Sequence, residues 1–280
     1  MTTLIQRIIQ QNYKIKVWHI IIFNFFFYFT GEFINRYTDY RYVFEVNVGT
    51  LFSIAFTIFL IFINGKLLRF IIDIDKSKWL VSIFVGFVAG IVLWYISAIG
   101  KPLIELSLNY CNLDSCHSLW KRAYADNSTI QYDQVSWYLV VSMVFHFAVI
   151  TPIREELMFR CSMSMIYTKR YGLVASSLLV AAVFAVFHLR FFITTFVFSL
   201  VMSALVLKYR NILPAVVAHG TFNTFIYFLY PSIKVVGVYT NLTAVDITVF
   251  IILLVGCFYF SIKSIKKCSL EWLEEPFKNK

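Results

Sequence analysis

Apolar runs follow one another along nearly the whole chain, near 17–34, 46–64, 79–99, 136–153 with a possible extension to 168, 172–189, 191–207, 212–230 and 246–262. A bilayer core of ~30 Å takes about 17–25 such residues per helix. The 280 residues are 60% hydrophobic and only 14% charged, against roughly 25% charged in soluble domains. One globular core could not hide that much apolar surface, so a water-soluble enzyme is excluded and the bilayer acts as solvent. The stretch 172–207 has Gly172 at its start and no proline. As one helix it would run ~54 Å, too long for a single crossing. Two spans are expected, with Arg190 at the tip and Phe191 and Phe192 as interfacial rings. The expected fold class is therefore all-α: a polytopic transmembrane bundle of about eight spans, with residues 1–280 as a single integral-membrane domain.

Charge placement tests this topology, because Lys and Arg concentrate in cytoplasmic connections. With both termini inside, 16 of the 25 basic residues fall in inner connections and seven in outer ones, leaving Arg154 and Arg160. Counting acids, the inner side carries +11 and the outer side −1, so the net +10 is an orientation signal facing anionic lipid and gives no reason to expect nucleic acid. The first apolar run follows 16 mostly polar residues and lacks a small-residue cleavage signal, so it reads as a retained helix. Cys111 and Cys116 lie in the long polar segment 100–135 on the expected outer side, where a disulfide is permitted. Cys161, Cys257 and Cys268 fall in or near helices without metal-ligand spacing.

Ionisable groups at membrane depth are costly, which makes them functional candidates. Three clusters qualify. Arg154-Glu155-Glu156-Leu157-Met158-Phe159-Arg160 follows Pro152, and its Glu156 and Arg160 are spaced i, i+4 for an ion pair that leaves Glu155 to point elsewhere. Phe184-Ala185-Val186-Phe187-His188 places one imidazole in an otherwise apolar span. His219-Gly220-Thr221-Phe222-Asn223 puts an imidazole and a carboxamide on one helical face. Each cluster alone is compatible with a solvated helix end or with interhelical hydrogen bonding. Together Glu155, His188, His219 and Asn223 supply a base, a second proton-handling group and two donors, the inventory for water attack on an amide. His146, nine residues before Glu155, falls on the opposite face by α-helical counting and outside the site.

The ordered set Glu-Glu-x-x-x-Arg (Glu155, Glu156, Arg160), Phe-x-x-x-His (Phe184, His188) and His-x-x-x-Asn (His219, Asn223) resembles the CAAX protease and bacteriocin-processing family of intramembrane endopeptidases. Eukaryotic type II CAAX prenyl endopeptidases and bacterial proteins once grouped as Abi belong to that family. The resemblance covers roughly 136–230, the expected catalytic core. It implies Glu155 as general base, His188 as its partner in activating water, and His219 with Asn223 as the pair that stabilises the oxyanion. Glu156 and Arg160 would hold the motif helix in place, with Phe184 in support.

The expected function is therefore glutamate-dependent hydrolysis of peptide bonds in membrane-associated peptide or protein tails, without a cofactor. Two His and a carboxylate can also hold Zn²⁺, which makes a metal-dependent version the first alternative. A non-catalytic transporter or immunity protein is the second, since buried Glu, His and Arg also build proton relays. The expected location is a bacterial inner membrane with the site open to the cytoplasm; no residue selects among prenylated tails, bacteriocin leaders and other substrates. Helix lengths leave one tension. Counted from the inner ends, Glu155 and His188 lie ~20 Å and ~24 Å deep, but His219 only ~10 Å. For His219 to join them, 208–214 must dip into the membrane or the seventh span must tilt.

Overall fold

The structure, a computed structural model, describes residues 22, 42–43, 46–47, 54–58, 78–110, 141–142, 144–188, 192–226 and 243–268. Six helices organise them: α1 (Trp79–Tyr110), α2 (Thr151–Glu156), α3 (Ser164–Phe187), α4 (Phe192–Tyr209), α5 (Leu213–Thr224) and α6 (Ala244–Lys267). Two π-helical segments, His146–Ile150 and Leu157–Met163, flank α2. Among the described residues four helical stretches are long and apolar enough to cross a membrane: Trp79–Gly100, Arg170–Phe187, Phe192–Tyr209 and Ala244–Lys267. They coincide with four of the eight expected runs. Most of the first and second runs, Arg190, Cys111, Cys116 and both termini lie outside the described residues.

Three features depart from a bundle of straight spans. A short antiparallel pair joins β1 (Tyr42–Val43) to β2 (Val46–Asn47), with Tyr42 opposite Asn47 and Val43 opposite Val46. Tyr and Val favour strands locally, and this pair overlaps the start of the apolar run placed at 46–64. Second, α1 continues past its apolar portion to Tyr110, into the segment read as a polar loop, because a helix need not stop where the bilayer does. Third, the 172–207 run is not one straight span but divides as expected, between Phe187 and Phe192.

A sharper reversal lies inside α3. Gly172 has φ 79° and ψ 170°, a conformation that an L side chain rarely adopts. Ser176 Oγ donates to Ser164 O at 3.0 Å, although twelve residues of straight helix would separate them by ~18 Å. The chain therefore folds back on itself at Gly172. Phe159 and Phe184, nearly equidistant from that corner, meet with ring centroids 5.0 Å apart. The hairpin brings the start of the Phe-x-x-x-His motif against the double-glutamate helix.

The α4–α5 connection, which leads into the helix of His219, packs inside the protein. Arg210 adopts φ 51° and Asn211 N donates to Val206 O at 3.2 Å, a bond that closes α4 as a Schellman motif does. Asn211 is buried; its Oδ1 accepts from Leu213 N at 2.7 Å and its Nδ2 donates to Ser82 Oγ of α1 at 3.3 Å. Ile212 is buried as well. The connection thus dips into the bundle, and Pro214 starts α5 where no intrahelical donor is needed.

Helix α5 is pressed onto α1 along two glycines. A Cβ at Gly86 would stand 2.6 Å from Pro214 O, and one at Gly90 2.6 Å from Ala218 O and from Thr221 Cβ. This Gly-x-x-x-Gly seam allows the close backbone approach on which helix association in lipid relies. Gly90→Ala is expected to force the helices apart and to lower the thermal midpoint of purified protein, with strain of about 1–3 kcal/mol. Gly256→Ala, at a position with nothing within 4 Å, serves as the control and should not lower it.

Candidate active site

Glu156 and Arg160 are fully buried, with Arg160 Nε 3.1 Å from Glu156 Oε2. The i, i+4 pairing expected from sequence survives the π-helical register. Arg160 reaches on to α4, where Nη2 donates to Ser199 O at 3.1 Å and to Ser199 Oγ at 3.0 Å. Its guanidinium also lies over the rings of Phe184 (5.3 Å) and Phe159 (5.9 Å), contacts that favour a cation in a desolvated setting.

The other oxygen of Glu156 binds His219. Nδ1 of His219 lies 2.9 Å from Glu156 Oε1, a contact in which the nitrogen donates. That places Nε2 of the same ring 3.7 Å from Glu155 Oε2. The imidazole thus bridges the two adjacent glutamates, with its orientation fixed further by the edge-on rings of Phe198 (4.9 Å) and Phe184 (6.1 Å).

Glu155 differs from its neighbour. Its Oε1 accepts from Arg154 Nη2 at 3.0 Å, while its buried Oε2 makes no hydrogen bond among the described residues. A buried carboxylate oxygen without a donor is costly to leave in a fold. It faces His219, as a proton acceptor for a bound reactant would.

His188 ends the Phe-x-x-x-His motif one residue beyond α3, at φ −121° and ψ 45°. Its Nδ1 donates to Phe184 O at 2.9 Å and its ring stacks on Phe184 at 4.4 Å. The carbonyl acceptor fixes the proton on Nδ1, so the neutral ring keeps a lone pair on Nε2. His188 lies within electrostatic reach of Glu155. Phe184 therefore serves both histidines: its carbonyl and face hold His188, and its edge meets His219.

Asn223, one turn beyond His219, points its carboxamide at the same helix. Nδ2 donates to Phe147 O at 2.9 Å. Gly220 makes this approach possible, since a Cβ there would meet Ala148 O at 2.4 Å.

The structure thus gathers Glu155, Glu156, Arg160, Phe184 and His219 into direct contact, with His188 and Asn223 fixed on flanking elements. Sequence reading left Arg154, Ser199, Phe159, Phe198 and Gly220 without roles. The charge of Arg154 next to Glu155 was a usable signal, whereas Ser199 and Phe198 are ordinary residues of an apolar helix. His146, assigned to the opposite face, has Nε2 3.5 Å from Thr151 Oγ1 and its ring edge-on to Phe147. Among the described residues no three His, Cys, Asp or Glu side chains are gathered to hold a metal ion. Both nitrogens of His219 face carboxylates, and both oxygens of Glu156 have cationic or imidazole partners.

Residues 136–225 match the family model described as Rce1-like, type II CAAX prenyl endopeptidase. That segment contains all seven motif residues. Over these residues the chain is similar to the CAAX protease family. No curated protein and no solved structure matches the chain. Similarity to the CAAX family over these residues supports peptidase activity in general and agrees with an integral membrane protein.

Removing one member of the buried pair leaves the other charge uncompensated. Arg160→Leu should cost about 3–5 kcal/mol of stability, measured by thermal or denaturant unfolding in detergent. Glu156→Leu/Arg160→Leu together should cost less than Arg160→Leu alone.

Proposed function

We propose that the chain is an intramembrane endopeptidase in which Glu155 activates water for attack on a peptide bond of a membrane-associated peptide or protein tail. The observation that carries this reading is the contrast between the two glutamates: Glu156 is held by an ion pair to Arg160 Nε at 3.1 Å and by His219 Nδ1 at 2.9 Å, while the buried Oε2 of Glu155 is met by Nε2 of His219 at the longer distance of 3.7 Å.

Glu155 takes a proton from water, with His188 Nε2 as a second acceptor that orients the same molecule. The hydroxide adds to the scissile carbonyl carbon and the carbonyl oxygen becomes an oxyanion. In its doubly protonated form His219 gives one N–H to Glu156 and keeps the other for that oxygen. Asn223 has two N–H groups, of which one is given to Phe147 O and the second serves the oxyanion. Collapse breaks the C–N bond, and the proton held by Glu155 passes to the leaving amine. The products are a carboxylic acid and an amine, which become carboxylate and ammonium when the acid gives up its proton, and no covalent enzyme intermediate forms.

No metal takes part in this sequence, so activity should survive thorough chelation; loss on chelation with recovery on adding Zn²⁺ would favour the metal-dependent alternative. The excess of Lys and Arg in the inner connections supports a site open to the cytoplasm and cytoplasmic termini, within a bundle of about eight spans in a bacterial inner membrane. Prenylated tails, bacteriocin leaders and small membrane-protein tails all suit a site of this chemistry.

Glu155→Ala should abolish cleavage while the protein still inserts and accumulates. The test compares peptide termini in membranes that carry the wild type or the variant, at matched protein levels. New termini found only with the wild type support the reading and identify substrates; identical sets of termini contradict it.

A further inference from the structure

A Cβ at Gly100 of α1 would meet both Thr194 Cγ2 of α4, at 2.9 Å, and Phe250 Cε2 of α6, at 3.1 Å. Further along, Ala204 and Leu207 of α4 pack with Ile265 of α6. The two helices therefore run parallel and bring their C-terminal ends together. Leu173 and Val174 pack against the same cluster, so the corner at Gly172 joins them. Three of the four candidate spans have an end here, at Arg170, Tyr209 and Lys267. Six exposed cations stand at this end: Arg170, Lys208, Arg210, Lys263, Lys266 and Lys267. None of them has an acidic partner among the described residues. The described acids lie elsewhere, Glu155 and Glu156 in the site, Asp246 in the first turn of α6 and Glu105 beyond Gly100 in α1. The partial charges of two helix C-termini offset only about one unit of this excess.

The cations are also held rather than free to disperse. Lys208 Nζ lies 5.0 Å from the ring centroid of Phe260 and 5.4 Å from that of Tyr209, and Lys263 Nζ lies 5.4 Å from that of Tyr259. Phe260, Lys263 and Lys267 are spaced i, i+3 and i+7 and share one helical face. Lys208 of α4 is thus directed to the face of α6 that carries two more lysines. Like charges gathered in this way repel, and an anion among them turns the repulsion into attraction. At the end of a membrane span the anion at hand is a lipid phosphate, and side chains already positioned lose little freedom on binding it. We propose that the phosphate of an anionic phospholipid binds between the C-terminal ends of α4 and α6, held by Lys208, Lys263 and Lys267. The lipid fastens α6, which buries little of its own surface, to α4. This site is independent of the proteolytic reading.

Two measurements on the full-length protein test this. The first is the thermal midpoint in vesicles of phosphatidylcholine alone or mixed with phosphatidylglycerol. Phosphatidylglycerol should raise the wild-type midpoint by about 2–4 °C. The combined variant Lys208→Gln/Lys263→Gln/Lys267→Gln should lose that rise, and Lys208→Arg/Lys263→Arg/Lys267→Arg should keep it. Lost ring contacts alone would lower the midpoint equally in both lipids, so the lipid-dependent difference isolates the charge. No rise in the wild type, or the same rise in the glutamine variant, overturns the proposal. Inorganic phosphate added to phosphatidylcholine vesicles should give no rise; a rise of the same size would assign the site to a free anion and overturn the lipid as occupant. The second measurement needs no variant. In native mass spectra of the wild type in mixed micelles, phosphatidylglycerol should be retained at least about tenfold over phosphatidylcholine. Equal retention of the two lipids overturns the site.

Discussion

The ion pair between Glu156 and Arg160 holds the rest of the site in place. Each charge removed from water costs several kcal/mol, and pairing offsets this only when the remaining donors and acceptors are satisfied. Arg160 Nη2 bonds across the bundle to Ser199 of α4, and Glu156 Oε1 to His219 of α5, while Arg160 Nη1 stays without a hydrogen bond among the described residues. One pair on the motif helix thus fastens two other helices to it, in a solvent that cannot supply hydrogen bonds of its own. The second glutamate is consequently left with one oxygen facing His219, and the proposed chemistry begins from that asymmetry.

Close backbone contact is the second requirement. Gly86 and Gly90 seat α1 on α5, and Gly220 seats α5 on the segment before Pro152. Between lipid tails there is no hydrophobic drive to press helices together, so small residues and interhelical hydrogen bonds do that work. The π segments on both sides of α2 belong to the same arrangement. They shift the register of side chains and carbonyls around the two glutamates, and π segments of this kind recur at functional sites. Ser162 and Ser164 each donate from Oγ to a carbonyl five residues back.

Much of this could be read from the sequence where a pattern depends on composition or on short spacing. The span boundaries near Trp79, Phe192 and Ala244 follow from hydropathy alone. The Glu156–Arg160 pairing follows from i, i+4 spacing, and the equal depth of Glu155 and His188 from helix lengths about a common corner. The seven motif residues were identified together because their order resembles one family. What could not be read depends on backbone irregularity or on tertiary contact. Ideal α-helical counting put His146 on the far face, and such counting cannot foresee a π segment that begins at that residue. The buried α4–α5 connection required knowing that Asn211 bonds to Ser82. The short strand pair at Tyr42–Asn47 reflects a local preference overlapping an apolar run. The glycine seam at Gly86 and Gly90 acquires its meaning only from the backbone of α5 that packs against it.

The central claim is that the buried carboxylate of Glu156 is what orients His219. A double-mutant cycle with Glu156→Ala and His219→Ala, read as the unfolding free energy of reconstituted protein, tests it most directly. The account predicts strong coupling, with the double variant about as stable as the worse of the two single variants. Additive losses would mean that the two side chains do not depend on each other, and would contradict it.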